Sequence, residues 1–293
     1  MKTLEYKNFG KCALLEKDGI KMYVTLDIGP RIIYYGTDDI NFMNEDISRN
    51  VQKGGEWFDE NYKAGEKWYL YGGHRTWKAP EDMETYVTDN YPVEVKEDGE
   101  FISFSTAPTK WGLSYGFSVK LEDGGAAVIK NFVKNHKEDR KIAIWSLSVV
   151  CKGGTLYIRR NEVKSEYQPS DNLVIWPYND FNDERFRYGK KIISLKQTEK
   201  AEAFKFGIFS DNLTAYYGVF DKFLKISYEK KQGEFCDFGA NFESYTNGHI
   251  LEIEALGDYA ELKRGEVVSL CERWEILSKD NKEIQSLLED AKE

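Results

Sequence analysis

The feature that most limits what this chain can become is a period-two alternation of apolar and polar residues that returns from one end to the other. Met22, Val24, Leu26 and Ile28 alternate with Lys21, Tyr23, Thr25 and Asp27 until Gly29-Pro30 breaks the pattern with a turn. Tyr115, Phe117, Val119 and Leu121 alternate with Gly116, Ser118 and Lys120, and Glu122-Asp123-Gly124-Gly125 then reads as a hairpin turn into 127–133. Similar runs occupy 142–149, 155–159, 250–256 and 267–277. Strands in this number joined by short turns require two sheets packed face to face, because a single sheet would leave one apolar face uncovered.

The expected fold class is therefore all-β, mostly antiparallel, with one short C-terminal helix. That helix is read in the tail 280–293, where Ile284, Leu287 and Leu288 form one stripe and Ser278 is available as a cap. The six prolines are scattered and no Pro- or Ser-rich linker interrupts the chain, so one domain is expected over all 293 residues. The stretch 44–70 departs from the alternation. Its Trp57, Phe58, Tyr62, Trp68 and Tyr69 belong either to a loop that closes over a ligand or to one that covers a sheet edge.

Composition narrows the function. Seven Trp, 19 Tyr and 17 Phe suit pleated strands and also supply flat faces on which a sugar ring can lie. A net charge of −9 repels phosphate backbones, so no nucleic-acid partner is expected. No run of apolar residues approaches a membrane span, and the first residues are charged where a signal peptide needs an apolar stretch, so neither a membrane partner nor secretion is expected and the location is read as cytoplasmic. Cys12, Cys151, Cys236 and Cys271 lie far apart without metal-binding spacing, and read as free thiols. Nucleotide-binding glycine motifs are absent, and the acidic pair Asp180 and Asp183 lacks the glycine-punctuated loop of a calcium site. No metal and no cofactor are expected.

Three strings concentrate groups able to carry chemistry. In the first, 72–81, two glycines precede His74, Arg75, Trp77 and Glu81, a set that offers a fixed cation, an aromatic face and a carboxylate to a polyhydroxylated ligand. The same string also reads as a well-packed turn. The second, 176–185, contributes Asp180 and Arg185; the third, 237–254, contributes Glu243, Glu252 and Glu254. Leu251, Ile253 and Ala255 share one face of a strand, so Glu252 and Glu254 share the other, roughly 7 Å apart, where they either divide binding and proton-transfer roles or simply face water.

Taken in order, GGHRTWKAPE, WPYNDFNDERF, GANFESYTNGHILEIEALG and KRGEVVSLCERWEI resemble the galactose mutarotase-like superfamily, which includes the aldose 1-epimerases. The resemblance runs from about Gly29 to Leu277. It implies a β-supersandwich whose concave sheet binds a small-molecule carbohydrate. It also implies a glutamate that takes the proton of the C1 hydroxyl while a histidine protonates the ring oxygen. Glu254 holds a position similar to that glutamate. His74 lies in the general region of the acid, where the family also carries a glycine-rich sugar-binding turn, and Arg75 would orient the sugar. The mid-chain strand on which the family carries another histidine reads Ile144-Trp145-Ser146-Leu147 here, while His136 and His249 stand in polar turns. Two functions follow from the resemblance: a mutarotase or related isomerase with Glu254 and His74 as catalytic pair, or a noncatalytic sugar-binding or sugar-sensing protein using Arg75, Trp77, Glu81, Glu243 and Glu252. A polysaccharide lyase or hydrolase ranks below both.

Overall fold

The computed structural model describes residues 1–163 and 165–293. Among them, two large antiparallel sheets of twelve and ten strands lie face to face, with a two-stranded ribbon beside them. The centre of the larger sheet runs Ile32–Thr37, Gly73–Ala79, Arg140–Val150, Leu251–Leu256, Phe242–Thr246, Phe204–Ile208. In the smaller sheet Lys222–Tyr228, Val267–Ser278, Ala127–Asn135 and Leu113–Leu121 are successive neighbours. This is the mostly antiparallel β-sandwich expected from the alternation. Ile253 and Phe206 of the larger sheet and Phe117, Ile129 and Trp274 of the smaller belong to one buried apolar core between them.

Because successive side chains of a strand point to opposite faces, burying one set in the core delivers the other to the outer face of the larger sheet. Leu251, Ile253 and Ala255 are buried with the core, and Glu252 and Glu254 lie opposite. Register then aligns the outer face across strands. One row runs Arg75, Leu147, Glu254, Glu243 and Gly207, and the next runs Gly73, Val149, Glu252, Tyr245 and Lys205. Gly207 packs closely in this row: a Cβ there would lie 3.4 Å from Glu243 Cγ and 3.1 Å from Ala240 Cβ.

The aperiodic stretch contains its own elements. Gln52–Lys53 pairs with Trp68–Tyr69, and the helix Glu56–Asn61 between them buries Phe58. At the other end, the C-terminal helix Lys282–Asp290 packs Ile284 and Leu287 against Ile192, Tyr216 and Phe223. Its cap is Asn281, whose side chain accepts the Glu283 N–H at 2.9 Å, and not Ser278, which ends the preceding strand. The reason is distance along the chain: a capping side chain reaches the second or third helical N–H, and Ser278 stands too far back. The four cysteines are unpaired. Among the described residues no helix is long and apolar enough to cross a membrane.

Candidate functional site

The outer face of the larger sheet carries a cleft with two adjoining lobes. The first, of about 360 Å3, has Arg75, Trp77, Leu147, Glu252 and Glu254 of the sheet among its lining residues, with Trp68 and Leu70 from the aperiodic stretch on one side and Trp176 and Tyr178 on another. The second, of about 470 Å3, is lined by Asp82, Asp237 and Glu243 among others. Lys53, Glu81, Tyr86, Trp145, Trp176 and Lys205 border both. Of the stretch 44–70, Val51, Lys53, Trp68 and Leu70 border this cleft, while Trp57, Phe58, Tyr62 and Tyr69 do not.

At the junction of the lobes sits Lys205, 5% exposed, on the Phe204–Ile208 strand. Its Nζ lies 2.6 Å from Glu243 Oε2 and 3.1 Å from Glu254 Oε2. The ammonium also stands 4.9 Å from the Trp145 ring centre and 4.7 Å from that of Trp176, inside the range of cation–π attraction. Burial opposes its charge, but the two carboxylates outweigh burial and raise its pKa well above the usual lysine value.

Glu254 is 1% exposed, and its Oε2 accepts a second hydrogen bond, from Trp145 Nε1 at 3.0 Å. Burial raises its pKa above the ordinary carboxylate value; Lys205 pulls the other way, and Glu252 and Glu81 push it further up. Glu243 is raised for the same leading reason, with Lys205 again opposing and Glu254 adding repulsion. A carboxyl that is reluctant to ionise in a partly enclosed cleft has the character required of a base working near neutrality.

Arg75 donates from Nη2 to Glu252 Oε1 at 3.1 Å, and its guanidinium lies 4.1 Å from the centre of the Trp77 ring. Its Nε and Nη1 are buried and have no hydrogen-bond partner among the described residues. The backbone reaches this strand through Gly72 and Gly73, both at positive φ, where a Cβ would lie 2.2 Å from Asn44 O and 2.4 Å from Ile32 O respectively. Only glycine allows that approach. Glu81 stands at the rim and accepts a hydrogen bond from the Tyr86 hydroxyl.

The structure therefore brings Arg75, Trp77, Glu81, Glu243, Glu252 and Glu254 to one cleft. It places three other candidates elsewhere. His74 faces the opposite way from Arg75, fully buried between the sheets, with Nε2 2.8 Å from Asn131 Oδ1 and Nδ1 3.0 Å from Ser148 Oγ. Asn131 Oδ1 is an acceptor, so His74 carries its proton on Nε2 and accepts from Ser148. Burial lowers its pKa below the usual histidine value, which keeps the ring neutral despite Glu272 at 3.4 Å. A one-residue step along a strand separates cleft from core, and His74 falls on the core side. Arg185 is buried against Asp183 in a two-pronged pair at 2.7 and 2.9 Å and donates to the carbonyls of Lys200 and Glu202. Asp180 is exposed and accepts from the backbone and side chain of Asn182. Neither borders the cleft.

Lys205, Trp145, Trp176 and Lys53 were not among the candidates drawn from the sequence. Lys205 had one signal: a lone cation alternating with Phe204, Phe206 and Ile208, on a strand whose other face is wholly apolar.

No protein-family model and no curated protein sequence matches the chain. Solved structures do. A galactose mutarotase-like protein from Clostridium acetobutylicum aligns with a TM-score of 0.55 at 10% identity, over 94% of this chain and 98% of that one. A candidate mutarotase from Salmonella typhimurium aligns at 0.56 and 9% identity, over 92% and 90%. A candidate aldose 1-epimerase from Klebsiella pneumoniae aligns at 0.55 and 14% identity, over 96% and 83%. At these identities the likeness is one of backbone, and the fold of this chain is the galactose mutarotase-like β-sandwich.

Proposed function

We propose that the cleft holds an uncharged sugar and that Glu254 acts on it as the base in the interconversion of anomers. The observation that carries this reading is the position of Glu254: a buried carboxyl bordering an aromatic-walled cleft, fixed by Trp145 and Lys205. The aromatic faces of Trp68, Trp77, Trp145 and Trp176 suit the C–H sides of a pyranose, while the Arg75–Glu252 pair offers donors and acceptors to neighbouring hydroxyls. The charged residues of the first lobe, Lys53, Arg75 and Lys205 against Glu81, Glu252 and Glu254, balance, which favours a neutral ligand over an anion.

In the reaction, Glu254 removes the proton of the C1 hydroxyl as the ring C–O bond opens; rotation about the adjoining bond and reclosure give the other anomer. A second reading, sugar binding without chemistry, is favoured by the absence of histidine among the residues bordering the cleft. Polarimetry on freshly dissolved α-glucose and α-galactose separates the two. The expected result is accelerated mutarotation that is lost in Glu254→Gln, whereas binding by calorimetry with no acceleration leaves the second reading. If neither sugar binds nor reacts, the carbohydrate reading itself falls.

A further inference from the structure

Opening a pyranose ring asks for an acid as well as a base. The two oxygens that exchange protons, the C1 hydroxyl and the ring oxygen, are bonded to the same carbon, so the acid must stand beside the base. The cleft supplies one ammonium in that place. We propose that Lys205 donates the proton to the ring oxygen, with Glu243 holding it in position, so that Lys205 and Glu254 work as the acid–base pair. The assignment rests on Glu254 being the base.

Four observations carry it. Lys205 Nζ and Glu254 Oε2 are 3.1 Å apart, close enough to serve two oxygens on one carbon. An ammonium has three N–H groups; the carboxylates of Glu243 and Glu254 take two of them, and the side chain borders both lobes, where a ligand atom takes the third. The ring centres of Trp145 and Trp176 both lie close to Nζ, at 4.9 and 4.7 Å. The other cations of the cleft fit less well: a guanidinium such as Arg75 does not release a proton, and Lys53 has its Nζ 3.4 Å from the centre of the Tyr86 ring, with no carboxylate of the described residues within ion-pair distance.

The proton movements balance. Glu254 takes the C1 hydroxyl proton, the electron pair of the O–H bond becomes the second bond of the carbonyl, the ring C–O bond breaks toward the ring oxygen, and that oxygen takes a proton from Lys205. Closure on the other face reverses each transfer. The two transfers assist one another. When Glu254 becomes neutral, one of the two carboxylates that hold the proton on Lys205 loses its charge, and the ammonium gives its proton up more readily.

The test compares Lys205→Met, which removes the proton, with Lys205→Arg, which keeps the charge but does not release it. Each is measured by polarimetry on glucose and galactose, calorimetry and thermal melting. The expected result is a fall in kcat of about 10²- to 10⁴-fold in both variants, with sugar affinity in Lys205→Arg within a few fold of the wild type. Full activity in Lys205→Arg would reduce Lys205 to an electrostatic anchor and overturn the assignment. Should both variants fail to fold, the wild-type pH profile decides. A rate that climbs as Glu254 ionises and then stays level to about pH 10 agrees with a lysine donor, and a rate that declines between about pH 6 and 8 overturns it. Failure is separable from that of the underlying reading: if Glu254→Gln abolishes activity while Lys205→Met retains it, only Lys205 is misassigned, and a wild type without activity removes both.

Discussion

Trp145 Nε1 donates to the same carboxylate oxygen of Glu254 that meets Lys205, at 3.0 Å, so one oxygen of that side chain is fully engaged by the protein. Burial opposes the charged carboxylate and Lys205 favours it; an N–H donated by Trp145 to the same oxygen acts in the same sense as Lys205, because a hydrogen bond to the charged form stabilises that form. Trp145→Phe keeps an aromatic wall and deletes one donor, so Glu254 ionises at higher pH. The expected outcome is an ascending limb of the mutarotation profile displaced to higher pH, with sugar affinity changed by no more than a few fold. Glu243→Gln works in the other direction. It removes the Glu243–Glu254 repulsion and leaves the Lys205 charge to Glu254 alone, so the limb moves to lower pH. Polarimetric pH profiles of both variants check this, and shifts in the same direction for the two would contradict the electrostatic account.

Arg75 borders the first lobe, pinned between Glu252 and the face of Trp77, with its Nε and Nη1 buried and unpaired among the described residues. Held in this way, the guanidinium loses little freedom when hydroxyls reach it. A hydrogen bond to a charged group is worth about 1.5–3 kcal/mol, so Arg75→Ala is expected to weaken sugar binding roughly 10- to 100-fold. Arg75→Lys should recover only part of the loss, since an ammonium does not reproduce the planar fork or its stacking on Trp77. Calorimetric titration with glucose and galactose measures both. Equal affinity in wild type and Arg75→Ala would remove Arg75 from the binding surface.

The sandwich was readable from the sequence because a strand with one apolar face announces itself, as Leu251, Ile253 and Ala255 do against Glu252 and Glu254. The Gly73–Ala79 strand carries no such contrast. All seven of its residues are buried, with the cleft, its walls and neighbouring segments covering one face and the second sheet the other. Polar residues therefore stand on both sides, and nothing in the alternation says whether His74 or Arg75 points outward. Lys205 was hidden for a different reason. Its meaning depends on strand order, which places Phe204–Ile208 beside Phe242–Thr246 and that strand beside Leu251–Leu256. Neither the pairing nor the register is encoded in any local pattern. The same holds for Trp145, whose partner Glu254 lies 109 positions away.

His74 offers the sharpest separation between a structural and a chemical role. Between the sheets, Asn131 Oδ1 accepts from His74 and from Thr76 Oγ1, while Asn131 Nδ2 donates to Glu272, which also accepts from Ser146 and from Trp274 Nε1. His74 closes this buried network by accepting from Ser148. His74→Leu preserves bulk and removes both bonds, leaving the buried Ser148 hydroxyl without its acceptor and Asn131 Oδ1 with Thr76 alone. An unsatisfied buried polar group costs about 1–3 kcal/mol, so the expected destabilisation is roughly 2–5 kcal/mol. At about 1.6 °C per kcal/mol for a chain of this size, the melting temperature falls by roughly 3 to 8 °C. Sugar affinity, measured below that temperature, stays at the wild-type value, because Arg75, Glu252 and Glu254 lie on the far side of the sheet. Burial keeps the imidazole neutral by lowering its pKa below the usual histidine value, so no inflection belonging to His74 is expected in the activity profile above that value. An unchanged melting temperature together with lost mutarotation would return His74 to the chemistry.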